Sequence, residues 1–346
     1  MNFPPVTTPR LPAEWEPQDA VLLAWPHVQT DWRPILDQVT KVYIELIRQI
    51  SRFETVIVIA PELQIVRDAV KQAGIDHSRL ILIQIDTNDT WTRDFGPITI
   101  YTGNKPQLLD FTFNGWGLKF PATKDNQATS QLYNTGRFSN ALKTTIDFVL
   151  EGGSIETNGS GTMLTTSACL LNPNRNPHMD KKALELTLSQ YFGCDHVLWL
   201  EHGWLAGDDT DSHIDTLARL CPDDVILYVR CNDSEDEHYS ELKSMEQQLQ
   251  TFKTPDGRPY QLVPLPWPHA CYDDGDRLPA SYANYLLINA AVLVPTYNDP
   301  ADSQAINIIG KVFPDREIIG VDCRALIKQH GSLHCITMQI PQGVLA

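Results

Sequence analysis

One order of elements keeps returning along this chain, and it limits the folds open to it. Thr162 to Thr166, a helix over about Asp180 to Phe192, and His196 to Leu200 read strand, helix, strand. Thr216 to Leu220 and Val225 to Arg230 precede a polar helix near Glu235 to Phe252 and the strand Tyr260 to Pro264. Tyr285 to Ile288 and Ala291 to Pro295 precede a helix near Ala301 to Phe313 and the strand Glu317 to Val321. Upstream, the strand Val21 to Trp25 leads to a helix over Pro34 to Ile50, whose apolar residues Ile35, Val39, Val42, Leu46 and Ile50 recur at helical spacing. Strands over Thr55 to Ala60, Leu80 to Ile85, Ile98 to Tyr101, Leu108 to Phe113 and Thr145 to Leu150 follow, with helical stretches near Glu62 to Ala73 and Asn126 to Asn140. Such recurrence predicts an α/β fold built by radial or stacked repetition of one strand-strand-helix-strand unit. No low-complexity linker separates two halves, so residues 1–346 are expected to form one compact domain.

Four segments stand out against this frame. Leu333-His334-Cys335-Ile336-Thr337 reads as a short apolar strand carrying one thiol, entered through Gly331 and closed by Pro341. Asp94 lies in the loop Asp89 to Pro97, and Glu151-Gly152-Gly153 reads as a turn between strands. In Ser212-His213-Ile214-Asp215-Thr216, an extended chain would put His213 and Asp215 on one face and Ile214 on the other, with Asp209 in the loop leading in. Carboxylates held side by side match a guanidinium, which is planar, permanently charged and presents its N–H donors in a fixed fork. Its central carbon then faces a nucleophile, and a thiolate is strong enough at neutral pH. A histidine on the same face can protonate the departing amine and then deprotonate a water.

Charge and cysteine usage bear on partners. Net charge is −16, from 27 basic and 43 acidic residues. That disfavours nucleic acid and anionic membrane as partners and suits a small cation. The seven cysteines are odd in number and scattered, with no CxxC pair, so they predict reduced thiols rather than a disulfide framework or a zinc site. No apolar run approaches the length of a membrane span, and the proline-rich stretch Met1 to Pro12 lacks a signal-peptide pattern. A cytoplasmic location is expected.

At this point the residues resemble a known family. Trp91-Thr92-Arg93-Asp94-Phe95-Gly96-Pro97, Glu151-Gly152-Gly153, Gly207 to Asp215 and His334-Cys335-Ile336-Thr337 are similar to four signatures of the agmatine deiminases. That family is grouped with bacterial peptidyl-arginine deiminases in the guanidine-modifying pentein superfamily. The resemblance implies a five-bladed, pseudo-symmetric α/β propeller of ββαβ units with the site on its axis and no metal or organic cofactor. It also implies hydrolysis of agmatine to N-carbamoylputrescine and ammonia, and is compatible with a homo-oligomer. Carried over, it makes Cys335 the nucleophile of a covalent amidino-cysteine intermediate and His213 the general acid and base. Glu151 would orient His213 and help bind the guanidinium, Asp94 and Asp215 would grip its nitrogens, and Asp209 would serve the substrate's far end. Trp91 would wall the pocket, and Gly331 would let backbone approach the substrate. The family pattern has more glycine than Gln329-His330-Gly331-Ser332-Leu333, and glycine is common where Ser212 stands.

Other readings of the same residues stand beside this one. A cysteine alone in an apolar strand is most often core. Asp208, Asp209, Asp211 and Asp215 could form a calcium or magnesium loop, although the glycine and glutamate of an EF-hand are missing. Arg93 and Asp94 could be a surface ion pair, and Glu151-Gly152-Gly153 only a tight turn. His334, next to Cys335, is expected to point to the opposite face as a satisfied structural histidine. The run His269 to Asp274 is read as a loop at the pocket mouth, and Trp116 as the tryptophan outside the motifs best suited to touch a ligand. Acids around Cys335 raise its pKa, so the thiol is expected to stay protonated until a guanidinium arrives. Rival functions are deimination of peptidyl-arginine or another guanidine, and a non-catalytic pentein that binds a macromolecule.

Overall fold

The computed structural model describes residues 8–346, a mixed α/β fold with several small sheets. The part of the proline-rich lead-in before residue 8 lies outside the described residues. Among the described residues five sheets share one pattern, in which the first strand is antiparallel to the second and the second is parallel to the third. They are Ile98–Thr102, Lys105–Thr112 and Leu142–Val149; Ile155–Thr157, Thr162–Thr166 and His196–Leu200; and Ala218–Cys221, Val225–Val229 and Gln261–Leu265. The fourth is Leu286–Ile288, Ala291–Thr296 and Glu317–Asp322, and the fifth is Met338–Pro341, Gln18–Ala24 and Thr55–Ala60. Pro9–Arg10 extends the first of these sheets and Leu80–Gln84 the fifth.

A helix links the second strand of each sheet to its parallel third, because parallel neighbours need a long crossover. These helices are Ala128–Asn134, Lys181–Phe192, Tyr239–Leu249, Asp302–Val312 and Leu36–Ile50. Leu36–Ile50 shows how they pack: Val39, Val42, Tyr43, Leu46, Ile47 and Ile50 are buried at helical spacing. The middle strands Ala291–Thr296 and Gln18–Ala24 are almost wholly buried, as expected of strands covered on both faces. No helix among the described residues is long and apolar enough to cross a membrane.

Several expectations need correction. Leu333 to Thr337 is not a strand; it is a run of turns leading into Met338–Pro341. Its backbone groups bond to other parts of the chain rather than to a ladder: His334 N–H donates to the Asn284 carbonyl (3.2 Å), and the Cys335 carbonyl accepts from Arg93 N–H (3.2 Å). Likewise Ile214–Thr216 is a short 3-10 turn, closed by Thr216 N–H on the His213 carbonyl (3.3 Å), so simple strand alternation does not orient His213 and Asp215. Glu151-Gly152-Gly153 opens a 3-10 turn and is followed by a strand, Ile155–Thr157, that the sequence reading lacked. The helices expected over Asn126 to Asn140 and Glu235 to Phe252 are shorter, at Ala128–Asn134 and Tyr239–Leu249. His269 to Asp274 leads into a hairpin, Cys271–Asp273 with Asp276–Leu278, and does not line the acidic pocket described next.

Candidate active site

Each of the five sheets is entered through a short lead-in to its first strand, and the five lead-ins meet. They carry Asp94, Glu151, His213 with Asp215, Asn284, and Cys335. Hydrogen bonds join them in a ring. Arg93 N–H reaches the Cys335 carbonyl, and Gly153 N–H donates to Asp94 Oδ1 (3.0 Å). Ser281 Oγ donates to the Thr216 carbonyl (2.5 Å), and Asn284 Oδ1 accepts from His334 N–H (2.9 Å). The remaining junction is a close fit: a Cβ on Gly153 would lie 2.6 Å from His213 Nδ1, 2.9 Å from Asp94 Oδ1 and 3.2 Å from Asp215 Oδ2. Only a glycine leaves that space.

The pocket above this ring encloses about 560 Å3 of space, its open mouth included. Cys335, Asp94, His213, Asp215, Asp209, Trp91 and Gly331 all line it. Glu151 does not. It is fully buried, with Oε2 4.0 Å from His213 Nε2, and its carboxylate accepts from Arg175 Nε at 3.0 and 3.4 Å. Gly331 packs against the Trp91 ring, where a Cβ would come within 2.2 Å, so its space belongs to the indole. Trp32 supports that indole from the side, with ring centroids 5.5 Å apart.

Asp94 Oδ2 accepts from Trp116 Nε1 at 2.9 Å, and Trp116 lines the pocket. Arg93 and Asp94 are both buried and are not a surface pair; the Arg93 side chain reaches Gln339 instead. Nor do the aspartates of the loop before His213 gather around one point. The Asp208 carboxylate takes Ser212 N–H and Thr210, Asp211 pairs with Lys119 and Arg175, and Asp215 binds His334. Glu151, Cys169 and His213 lie within 4.8 Å of one another and carry donor types that metals use, but Arg175 already provides the cation beside Glu151.

Two places where the chain departs from the glycine pattern are left-handed: Ser212 at φ 65° and His330 at φ 67°. Side chains hold both. Ser212 N–H donates to Asp208 Oδ2 at 2.7 Å, and His330 Nδ1 lies 2.7 Å from the Gly207 carbonyl. The strain of a non-glycine residue there, of order 1 kcal/mol, is within what such contacts offset.

Burial sets the electrostatics. It pushes the Cys335 thiol well above its ordinary pKa, and Asp215 and Asp94 push it further. Burial also raises Asp94, with Asp215 adding to the effect, and takes Asp89 at the mouth up to about 7. His213 falls to about 3, chiefly from burial, so its imidazole is neutral. Burial pushes Asp215 up as well, but its hydrogen bond from His334 brings it below the usual range. Two buried atoms here have no hydrogen-bond partner, Asp215 Oδ1 and His213 Nε2, the latter on the Glu151 side of the ring.

Sequence reasoning missed three contributors. Asn284 Nδ2 sits 3.3 Å from Cys335 Sγ, Arg175 braces Glu151, and Glu14 contacts His334 from the far side. Only Asn284 had a usable signal, its place just ahead of a first strand.

Comparison with known proteins comes to the same point. The family model of the Porphyromonas-type peptidyl-arginine deiminases matches residues 10–341. The agmatine deiminase of Pseudomonas aeruginosa (strain UCBPP-PA14) is 33% identical, covering 97% of this chain and 98% of its own. The solved structure of C. jejuni agmatine deiminase with substrate bound superposes with a TM-score of 0.92 at 40% identity, covering 99% of both chains. A protein of Porphyromonas gingivalis solved as a candidate arginine deiminase superposes at 0.93 with 49% identity, covering 98% of this chain and 100% of its own.

Proposed function

Since the chain belongs to the Porphyromonas-type peptidyl-arginine deiminase family, we propose that it is a hydrolase of guanidino C–N bonds whose substrate is agmatine. One observation carries the choice of substrate. Six aspartates, Asp31, Asp89, Asp94, Asp208, Asp209 and Asp215, line the pocket around the thiol, and among the described residues no lysine or arginine does. Agmatine is a dication, with a guanidinium at one end and an amine at the other. Free arginine brings a carboxylate into the same acid-rich space, and peptidyl-arginine offers no second positive charge. Both are expected to bind less well. The agmatine deiminases among the relatives support the same reading.

The chemistry follows from the lining groups. Asp94 and the free Oδ1 of Asp215 take guanidinium N–H groups, while Trp91 offers an aromatic face to the cation. Asp209 serves the amine end. The Cys335 thiol passes its proton to neutral His213 and attacks the guanidinium carbon. His213 then protonates the departing nitrogen, so ammonia leaves and an amidino-cysteine remains. A water, deprotonated by His213, attacks that carbon; the C–S bond breaks and returns the thiol with N-carbamoylputrescine. Glu151, held by Arg175, orients His213 from behind rather than touching substrate. In this reading the five sheets form the blades of a propeller within one domain spanning 1–346, and the ring of lead-ins is its axis.

Ammonia release should be rapid with agmatine and at least about tenfold slower, as kcat/KM, with free arginine or a blocked peptidyl-arginine. Preference for the peptide would overturn the substrate assignment. Binding should also release protons. A dication favours the ionised forms of Asp89 and Asp94, whose pKa values are raised in the free enzyme. Affinity for a non-hydrolysed guanidinium amine should therefore rise with pH, the Asp89 part of the rise ending above about 7, where that carboxyl ionises by itself. Calorimetry in buffers of different ionisation enthalpy measures the protons released; heats independent of the buffer would count against this.

A further inference from the structure

Behind the pocket lies a buried chain of charges that the reaction as written does not use. Asp215 Oδ2 is 2.7 Å from His334 Nδ1, and His334 Nε2 is 2.8 Å from Glu14 Oε2. Glu14 Oε2 also accepts from Arg219 Nη2 (2.7 Å), and Glu14 Oε1 accepts from Leu287 N–H (2.7 Å). Arg219 Nε donates onward to Glu156 Oε2 at 2.9 Å. All of these side chains are buried, and Glu14, Arg93, Glu156 and His334 line a second cavity on the side of His334 away from Asp215.

Proton counting narrows the state of the ring. Both imidazole nitrogens of His334 face carboxylate oxygens, yet a neutral imidazole has one N–H and one lone pair. Glu14 accepts from Arg219 and Leu287 as well, and a carboxylate with that many donors is ionised, so Nε2 must carry a hydrogen. The second short contact, to Asp215, then has two solutions. Either Nδ1 is protonated and Asp215 is a carboxylate, or Asp215 is a neutral acid facing a lone pair. Burial, Arg219 and Arg93 pull the His334 pKa down by more than Glu14 and Asp215 pull it up, so a charged ring stands only on its two short carboxylate contacts. The Asp215 contact favours the first solution: the short hydrogen bond from His334 holds Asp215 below its usual range, as a carboxylate. A neutral Asp215 would also have no charge with which to hold a guanidinium.

The geometry points to His334 as a resident imidazolium, a positioning residue anchored by Glu14 that fixes one oxygen of Asp215 as carboxylate and leaves the other free for the substrate. The unpartnered Oδ1 of Asp215 is what such an arrangement would present. The inference uses the guanidinium reading above, but its first test does not need the substrate.

In the wild-type protein, 15N-histidine NMR should show both ring nitrogens of His334 protonated at neutral pH. The resonance is identified by its loss in His334→Asn. An unprotonated ring nitrogen at neutral pH would overturn the inference. Kinetics give a second readout. His334→Asn keeps a hydrogen-bond donor for Asp215 but no charge, and should raise KM for agmatine by about tenfold or more with a smaller change in kcat. An unchanged KM in the folded variant would also overturn it. If the variant does not fold, the wild-type ring resonances are assigned instead through their bonds to the His334 backbone, and that spectrum decides. An imidazolium signal in a protein that ignores agmatine would leave this inference standing and sink the substrate assignment instead.

Discussion

Replacing Cys335 with serine should lower agmatine turnover by roughly 10^4-fold or more while leaving binding of the substrate nearly intact. The sulfur is buried, and its surroundings keep it protonated in the empty pocket: burial, Asp215 and Asp94 all raise its pKa. In the proposed mechanism an arriving guanidinium would cancel the field of those carboxylates, so that the thiolate forms where it is used. Titrating the thiolate absorbance with and without a guanidinium inhibitor separates the two states, and a depressed pKa in the free enzyme would refute substrate-assisted ionisation. Serine lacks an accessible anion at any working pH, so no such rescue is open to it. The variant should still change its melting temperature when agmatine is added. Turnover that survives the substitution would remove the proposed mechanism.

Gly153→Ala should cost roughly a hundredfold or more in kcat with little change in melting temperature. The added methyl would enter the gap between His213, Asp94 and Asp215, all three within 3.2 Å of it, and those side chains must move apart. The backbone at Gly153 is not left-handed, so alanine itself is unstrained there. Gly152→Ala offers the contrast, because its methyl would meet the Arg93 carbonyl at 2.2 Å, and backbone yields less readily than side-chain ends. That neighbour should lose stability first. Equal loss of stability in both would argue that Gly153 only maintains the fold.

Much of this centre could be read from the sequence, though not for the reasons of local geometry first given. Strand alternation placed His213 and Asp215 on one face and His334 opposite Cys335, yet none of these residues is in a strand. What carried the reading was residue type together with the likeness of four motifs to a known family; the structure adds that each of these residues stands at the entrance to a unit. Asp94, Glu151, His213 and Cys335 are conspicuous because their chemistry is. Asn284 holds the corresponding place ahead of Leu286–Ile288 but sits in the neutral run Ser281-Tyr282-Ala283-Asn284, so nothing in its type drew notice. Treating the lead-in as part of the repeating unit would have found it. Arg175 and Glu14 had no comparable signal, since each acts through one contact with a residue distant in the chain. The run Leu333 to Thr337 looks like a strand because it is apolar and β-branched. It is instead apolar because it is buried where five units meet, and no propensity scale separates those two causes.

The strand after Cys335, Met338–Pro341, pairs with Gln18–Ala24, so the two distant ends of the described chain complete one sheet. Closing so long a loop is slow and comes late in folding. The run that carries the thiol is continuous with that seam, which pins it beside Asn284 and Asp215. Before that seam closes, Cys335 lacks the burial and the carboxylates that hold its thiol protonated. The half-assembled molecule therefore carries a cysteine of ordinary reactivity, and the finished, empty one a quieter thiol.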